Sequence, residues 1–370
     1  MINSIKHLHS ALKDLVKNAK NNPEENSSKH TIQESAIKEF LKPDLIGNFS
    51  KYFGHDNINI DLRGQQKMMT EKEISRKLTL EFAYILDRSN FNVTIINGEF
   101  CEAKSYLPKN VRITRLRDLT DEKVAVFFKK APYKKNTLAL INTALVKRGF
   151  LLEADISKRE ETIYINYVDS PDNIHFNQAR NIYSVKKNAK LSVIERFFFL
   201  GEGLPAIKND VSQWILEDGA QASLYMLDCE SNTRDCKDIN NIFVNQKNNS
   251  TFSCFSFYIN VQHVIKNNLR VFLEGSGSVC NLFSLSLLDK YSCVEHDIYI
   301  EHKKPDCKSN QVYKGVFDNY AKGKFDSVIL VHQDAQKTSA VQQNNSLLLS
   351  DNSMVQSNPQ LEIFADDVEC

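Results

Sequence analysis

From about residue 135 onward the chain alternates apolar and polar side chains with period two, and it does so with little glycine. Twelve Gly in 370 residues is about 3%, against roughly 7% in ordinary proteins. A hairpin-rich sandwich needs many turns with positive φ, which Asn-Gly and Asp-Gly pairs supply. Here those pairs occur at Asn97-Gly98 and Asp218-Gly219. Short polar punctuation recurs instead, at Asn188-Ala189, Asp218-Gly219-Ala220, Asn248-Asn249-Ser250, Glu274-Gly275-Ser276-Gly277, Lys322-Gly323 and Asp351-Asn352-Ser353. Most of these lie about thirty residues apart, a period that suggests a stacked solenoid. In a parallel β-helix each coil adds short strands to parallel sheets, and inward side chains stack in ladders. The pattern favours that architecture over a sandwich.

The alternation predicts particular faces. Leu269, Val271 and Leu273 oppose Arg270 and Phe272, while Val279, Phe283, Leu285 and Leu287 oppose Ser284 and Ser286. Ile298 and Ile300 alternate with Asp297, Tyr299 and Glu301; Val328 and Leu330 precede His332. Leu361, Ile363 and Ala365 alternate with Glu362, Phe364 and Asp366. The aromatic runs Phe197–Phe199 and Phe252–Tyr258 are expected as core ladders rather than base-stacking platforms. Asn and Lys richness together point to genome nucleotide bias rather than a stacked amide ladder.

The first ninety residues read differently. Ile5, Leu8, Leu12, Leu15 and Val16 recur at helical spacing. Thr31 with Glu34, and Thr70 with Glu73, form capping-box patterns before apolar periodic runs. Phe91–Ile96 followed by Asn97-Gly98 reads as a strand and tight turn. The expected organisation is a helical domain over 1–90, a connecting strand and loop region over 91–134, and a parallel β-helix over 135–370.

Charge and motifs exclude several functions. Forty-seven Lys+Arg against forty-six Asp+Glu leave +1, so no global field recruits nucleic acid or an anionic membrane. The longest apolar runs, such as Phe197–Leu200, are too short to span a bilayer, and the first twenty residues lack a secretory apolar core. The cytoplasm is the expected location. The eight Cys (101, 229, 236, 254, 280, 293, 307 and 370) include no C-x-x-C and are too sparse for a disulfide scaffold. Reduced thiols in core or surface positions are expected. P-loop, G-x-S-x-G, H-E-x-x-H and G-x-G-x-x-G motifs are all absent.

The last seventy-five residues carry a specific resemblance. Ser309-Asn310-Gln311-x-Tyr313-Lys314-Gly315-Val316 and Ala321-Lys322-Gly323-Lys324-Phe325-Asp326 are followed by Ala335-Gln336-Lys337-Thr338, Leu347-Leu348-Leu349-Ser350-Asp351, Pro359-Gln360-Leu361-Glu362-Ile363 and Asp366-Asp367-Val368-x-Cys370. Six such stretches in order resemble the SufD-type scaffolds of the SUF iron–sulfur cluster assembly system, within the SufB/SufD family. The strand–turn Ile96-Asn97-Gly98-Glu99-Phe100 with Leu107-Pro108-x-x-Val111 is similar to the family's stretch before its core.

The resemblance implies a helical N-terminal domain and a right-handed parallel β-helix. It implies a noncatalytic scaffold that pairs with a SufB-type paralogue and binds a SufC-type ATPase, with ATP hydrolysed in that partner. It implies no stably bound cofactor, but a nascent Fe–S cluster at the heterodimer interface. Self-association as a homodimer when the paralogue is missing is left open by the sequence. SufB-type chains carry a Cys just after the leucine-rich stretch; here Ser353 stands in its place, and serine cannot replace a soft thiolate. Cys370 matches the family's interface Cys. Glu362 and Asp366, on one face by strand alternation, would add hard oxygen ligands, with Asp367 facing away. His332 is expected to be structural or exposed. The family continues beyond this Cys with a run containing a ligand His, then a helical domain that contacts the ATPase; neither follows Cys370, so the resemblance implies a truncated chain. The alternatives are a SufB-like paralogue, an inactive remnant, or a β-helix enzyme that cleaves polysaccharides.

Overall fold

The computed structural model describes residues 90–369, apart from 132–135, 158–159, 170–174, 200–205 and 230–235, together with seven positions between 32 and 76. The helical domain expected over 1–90 therefore lies almost wholly outside the described residues. Those seven positions are helical; Ile32 and Ala36 are buried, and Gln33 Nε2 donates to the Val146 carbonyl at 3.2 Å.

The chain runs β1 (Phe91–Ile96), β2 (Glu99–Tyr106), β3 (Val111–Arg115), a 3-10 turn (Leu116–Asp118), α1 (Asp121–Lys130), α2 (Thr137–Leu145), β4 (Arg148–Ala154), β5 (Glu161–Asp169), β6 (His175–Asn177) and β7 (Ala179–Val185). It continues with β8 (Lys190–Phe199), β9 (Ala206–Leu216), β10 (Gln221–Cys229), β11 (Cys236–Gln246), β12 (Thr251–Ile259), β13 (Val264–Leu273) and β14 (Val279–Leu288). The last elements are β15 (Cys293–His302), β16 (Lys308–Phe317), β17 (Lys322–Val331), β18 (Thr338–Leu348), β19 (Met354–Ile363) and β20 (Val368–Glu369).

Two 10-stranded sheets result. The first runs β2-β1-β5-β8-β10-β12-β14-β16-β18-β20 and the second β19-β17-β15-β13-β11-β9-β7-β4-β3, with β6 beside β9. From β7 onward the chain alternates between the sheets, two strands to a coil, and every pairing there is parallel. Only β1–β2 and β3–β4 are antiparallel. This is the expected parallel solenoid. Residues 91–115, expected as a connection, instead supply β1 to β3 of its sheets, with β1 parallel to β5.

Turn chemistry explains the low glycine content. Asn188, Gly219, Asn249, Gly277, Asp306 and Lys337 all have positive φ and recur about every 30 residues. They form a column along one corner. The Asn188 amide donates to Asp218 O, that of Gly219 to Asn248 O, that of Asn249 to Ser276 O, that of Gly277 to Pro305 O, that of Asp306 to Gln336 O and that of Lys337 to Asp367 O. Asn and Asp tolerate the left-handed region better than other residues with a side chain, so most of the column needs no Gly. A second corner places Asn260, Lys290 and Asn319 in the same conformation.

The main core lies between the sheets. Trp214 stacks on Tyr183 at 4.0 Å and meets Phe252 at 5.5 Å, and all three are buried. A second cluster lies outside the second sheet, under α1 and α2. Thr120 Oγ1 accepts from Lys123 N to cap α1, and Asn136 Oδ1 accepts from Leu138 N and Ala139 N to cap α2. The sequence reading expected only strand pattern here. The α2 segment TLALINTAL is apolar nearly all round and buried nearly throughout, so it shows no amphipathic period. Asn142 Nδ2 reaches Ala179 O and Asn209 O, and buried Arg180 lies 4.0 Å over Phe128, tying the helices to the sheet.

The predicted faces hold for β13 and β15, where Leu269, Val271, Leu273, Ile298 and Ile300 are buried. In β14 the two sets do separate, but Cys280, Leu282, Ser284, Ser286 and Leu288 point inward and Phe283, Leu285 and Leu287 lie half-buried outside. In β17 the inner set is Phe325, Ser327, Ile329 and Val331 rather than Val328 and Leu330. Inward serines are accommodated by hydrogen bonds: Ser327 Oγ donates to Gln311 Oε1 at 2.9 Å. Outward aromatics stack on one another, Tyr225 on Phe255 at 4.8 Å and Phe255 on Phe283 at 5.2 Å. The Phe252–Tyr258 run is therefore half core and half outer ladder. The asparagines also do more than genome bias implies. Asn268 Nδ2 donates to Asn241 Oδ1 at 2.9 Å and Asn241 Nδ2 to Asn209 Oδ1 at 3.0 Å, a buried amide ladder across three coils.

Candidate functional site

The titratable side chains gather at the corner where the chain leaves the first sheet for the second. Asp228 is the penultimate residue of β10, Asp238 lies near the start of β11, and His263 immediately precedes β13. Asp228 and Asp238, ten residues apart, meet where β10 gives way to β11, and parallel stacking of β13 on β11 adds His263, 25 residues further on. His263 Nε2 lies 3.1 Å from Asp228 Oδ2 and 3.3 Å from Asp238 Oδ2. One ligand atom from each residue falls within 4.8 Å of the others. The His263 side chain is 2% exposed, Asp228 11% and Asp238 21%. Neither ring nitrogen of His263 makes a hydrogen bond of good direction, so the carboxylates sit close to Nε2 but off its N–H axis.

The electrostatics are strong. Burial alone would push the His263 pKa down, but the two carboxylates outweigh it and lift it to about 10. Burial would raise Asp238, yet His263, with Lys208 behind it, holds the carboxyl below its usual range.

A second polar cluster lies earlier along the same corner. Tyr167 and Tyr183 hydroxyls donate to Glu195 Oε1 at 2.9 and 3.0 Å. Burial lifts the Glu195 carboxyl above its usual range, against the Tyr167 hydrogen bond and the Lys208 charge. Lys208 Nζ lies 3.5 Å from Asp210 Oδ2 and 3.8 Å over the Phe197 ring.

The residues expected to bind a cluster lie elsewhere, at the last coil. Cys370 lies outside the described residues. Glu362 and Asp366 are exposed, and among the described residues neither joins a cluster of three His, Cys, Asp or Glu ligands. Strand alternation does not place them on one face, because β19 ends at Ile363 and the chain bends at Asp366-Asp367. Around them the coil is apolar and uncovered: Val341, Leu347, Leu349, Met354, Leu361, Ile363 and Phe364 are all exposed. Ser353, where SufB-type chains carry a thiol, closes its own turn by donating to Ser350 O at 2.8 Å. His332 is partly exposed and paired with Glu301 at 2.7 Å. Gln336 and Thr338 bond turn carbonyls, of Gln333 and Ala335.

Burial holds four of the described thiols protonated. Burial pushes Cys254 up to about 12 and lifts Cys280 further, while Cys293 rises to about 11. Cys101, Cys254, Cys280, Cys293 and Cys307 are all free.

Sequence reading missed the Asp228–Asp238–His263 trio. Its spacing of ten and then 25 residues matches no local motif, and finding it needs both the strand boundaries and the register of the next coil.

The described residues form a parallel solenoid with a polar corner and an exposed apolar last coil. The chain belongs to the family described as SUF system FeS cluster assembly, SufBD core domain, whose model matches residues 167–370, more than half of the chain. It is 35% identical over 107 residues to the iron–sulfur cluster assembly protein SufD of Escherichia coli, covering 29% of this chain and 25% of that protein. It is 26% identical over 203 residues to an iron–sulfur cluster assembly SufBD family protein of Synechocystis, covering 52% and 44%. A SufBD family protein of Mycobacterium leprae matches at 29% over 112 residues, 28% of this chain and 29% of that one. The chain thus matches less than half the length of each of these relatives. Among the described residues no helix is long and apolar enough to cross a membrane.

Proposed function

We propose that the chain is a noncatalytic scaffold subunit of SufD type in the SUF iron–sulfur cluster assembly system. It pairs through its last coil with a SufB-type paralogue, and a SufC-type ATPase supplies the nucleotide chemistry. The nascent cluster is cargo, assembled between the two scaffold subunits and not stably held by this chain. Glu362, Asp366 and Cys370 serve there as donors, two hard oxygens and a soft thiolate. The cytoplasm is its place of work.

The observation that carries this reading is the exposed apolar coil of β18 and β19. Leu347, Leu349, Leu361 and Phe364 are 56%, 58%, 45% and 64% exposed. A contiguous apolar surface of this kind marks a docking site, and parallel strands at the outside of a sheet offer unpaired main-chain groups. Co-expression with a tagged SufB-type partner tests it. Capture of the wild-type chain, and its loss in Leu347→Asp/Leu361→Asp, is expected. Equal capture of both would remove the last coil from the interface.

A further inference from the structure

We propose that Asp228, Asp238 and His263 form a binding site for one divalent first-row metal ion of hard-to-borderline character, such as Mn(II) or Fe(II), with one nitrogen and two oxygen ligands. The inference is independent of the last coil and of Cys370.

Four features point to it. First, the ligand types fit: carboxylates favour hard divalent ions, imidazole favours first-row transition metals, and a mixed set favours ions that accept both. Second, the spacing fits. Metal–ligand bonds of ~2.1 Å place neighbouring ligand atoms about 3.0 Å apart in an octahedron and about 3.4 Å apart in a tetrahedron. The two Nε2–carboxylate separations, 3.1 and 3.3 Å, fall in that interval.

Third, His263 is buried and its ring nitrogens lack well-directed hydrogen bonds, although Nε2 is aimed between two carboxylates. An ion between the three groups would replace the proton that His263 shares with the two carboxylates, which leaves the imidazole neutral. Fourth, the backbone makes the site rigid. Asp228 pairs in register with Tyr258 on one side, and Asp238 with Ile265 and Lys208 on both, so the strand ladders fix the backbone that carries the two carboxylates. Two carboxylates and a neutral imidazole balance a dication. Three protein ligands leave coordination positions open to water or an exchanging group, and the partial exposure of Asp238 gives a route in.

Mn(II) is the first probe because it discriminates against the chain's thiols, which would capture softer ions. The full chain is titrated with Mn(II), and the free ion is followed by electron paramagnetic resonance. One bound ion per chain is expected. Affinity should fall at least tenfold in Asp228→Asn and in Asp238→Asn and stay within twofold in Glu102→Gln, an exposed carboxylate of β2. The wild-type complex should show nitrogen modulation from one imidazole by electron spin echo spectroscopy, a readout that depends on no variant. An anaerobic Fe(II) titration should give the same stoichiometry and the same order of variants. Absence of Mn(II) and Fe(II) binding at millimolar metal would overturn the assignment. So would unchanged affinity in both Asp variants, or bound Mn(II) without nitrogen modulation.

Discussion

His302 offers a quantitative test of how the solenoid interior treats charge. It is fully buried in β15, with Nε2 2.9 Å from Ser309 Oγ and no partner at Nδ1. Burial pushes its pKa down to about 4, against about 6.5 in an unfolded chain. A depressed histidine binds fewer protons folded than unfolded, so it costs nothing above pH 6.5 and destabilises the fold progressively as pH falls toward 4. pH 5 lies about 1.5 pH units below the unfolded pKa, where the unfolded imidazole is almost fully protonated and the folded one almost neutral, a difference worth about 2 kcal/mol. His302→Gln keeps an amide donor toward Ser309 and removes the titration. Urea unfolding of both proteins at pH 7.5 and pH 5, followed by circular dichroism and by the fluorescence of Trp214, the lone tryptophan, reads the difference. The wild type should lose about 2 kcal/mol more than His302→Gln over that step. Equal losses would refute the reasoning, since His302 would then be titrating as a solvated group.

Three further outcomes are expected. Trp214→Ala removes the centre of the Tyr183–Trp214–Phe252 stack and should cost ~3–5 kcal/mol, read as a lowered urea midpoint with secondary structure retained at zero denaturant. Asn249→Ala replaces a residue that tolerates φ 55° in the turn column by one that does not and should cost about 1 kcal/mol, while Asn249→Gly should be near neutral by thermal denaturation. At pH 7.5 iodoacetamide should leave Cys254 and Cys280 unmodified in the folded chain, because burial holds both as thiols, and should label them after unfolding, as peptide mass spectrometry would show.

Where the sequence was legible, the reason was local. Alternation in β13 and β15 needs only each strand's own residues, and the recurrence of Asn188, Gly219 and Asn249 gives the coil length. The inward face of β14 was not legible, because Ser284 and Ser286 point in and Phe283 points out; the outward ring finds its partners, Phe255 and then Tyr225, one and two coils earlier. Helix α2 escaped because burial nearly all round erases the amphipathic period. The amide ladder of Asn209, Asn241 and Asn268 was invisible for the same reason as the Asp228–Asp238–His263 corner. Each depends on a register between coils that composition does not reveal. The family resemblance rested on stretches between residues 309 and 370 and pointed to the last coil, so it carried no information about a corner built from residues 228–263.

The central claim is that the last coil is a protein interface with a SufB-type paralogue. Site-specific photo-crosslinking in cells tests it most directly, with the reactive side chain placed at Leu361 on β19 and, as a control, at exposed Val126 on α1. Crosslinks from position 361 to the SufB-type subunit, and none from position 126, are the predicted result. Crosslinks to that subunit from position 126 but not from 361 would contradict the account.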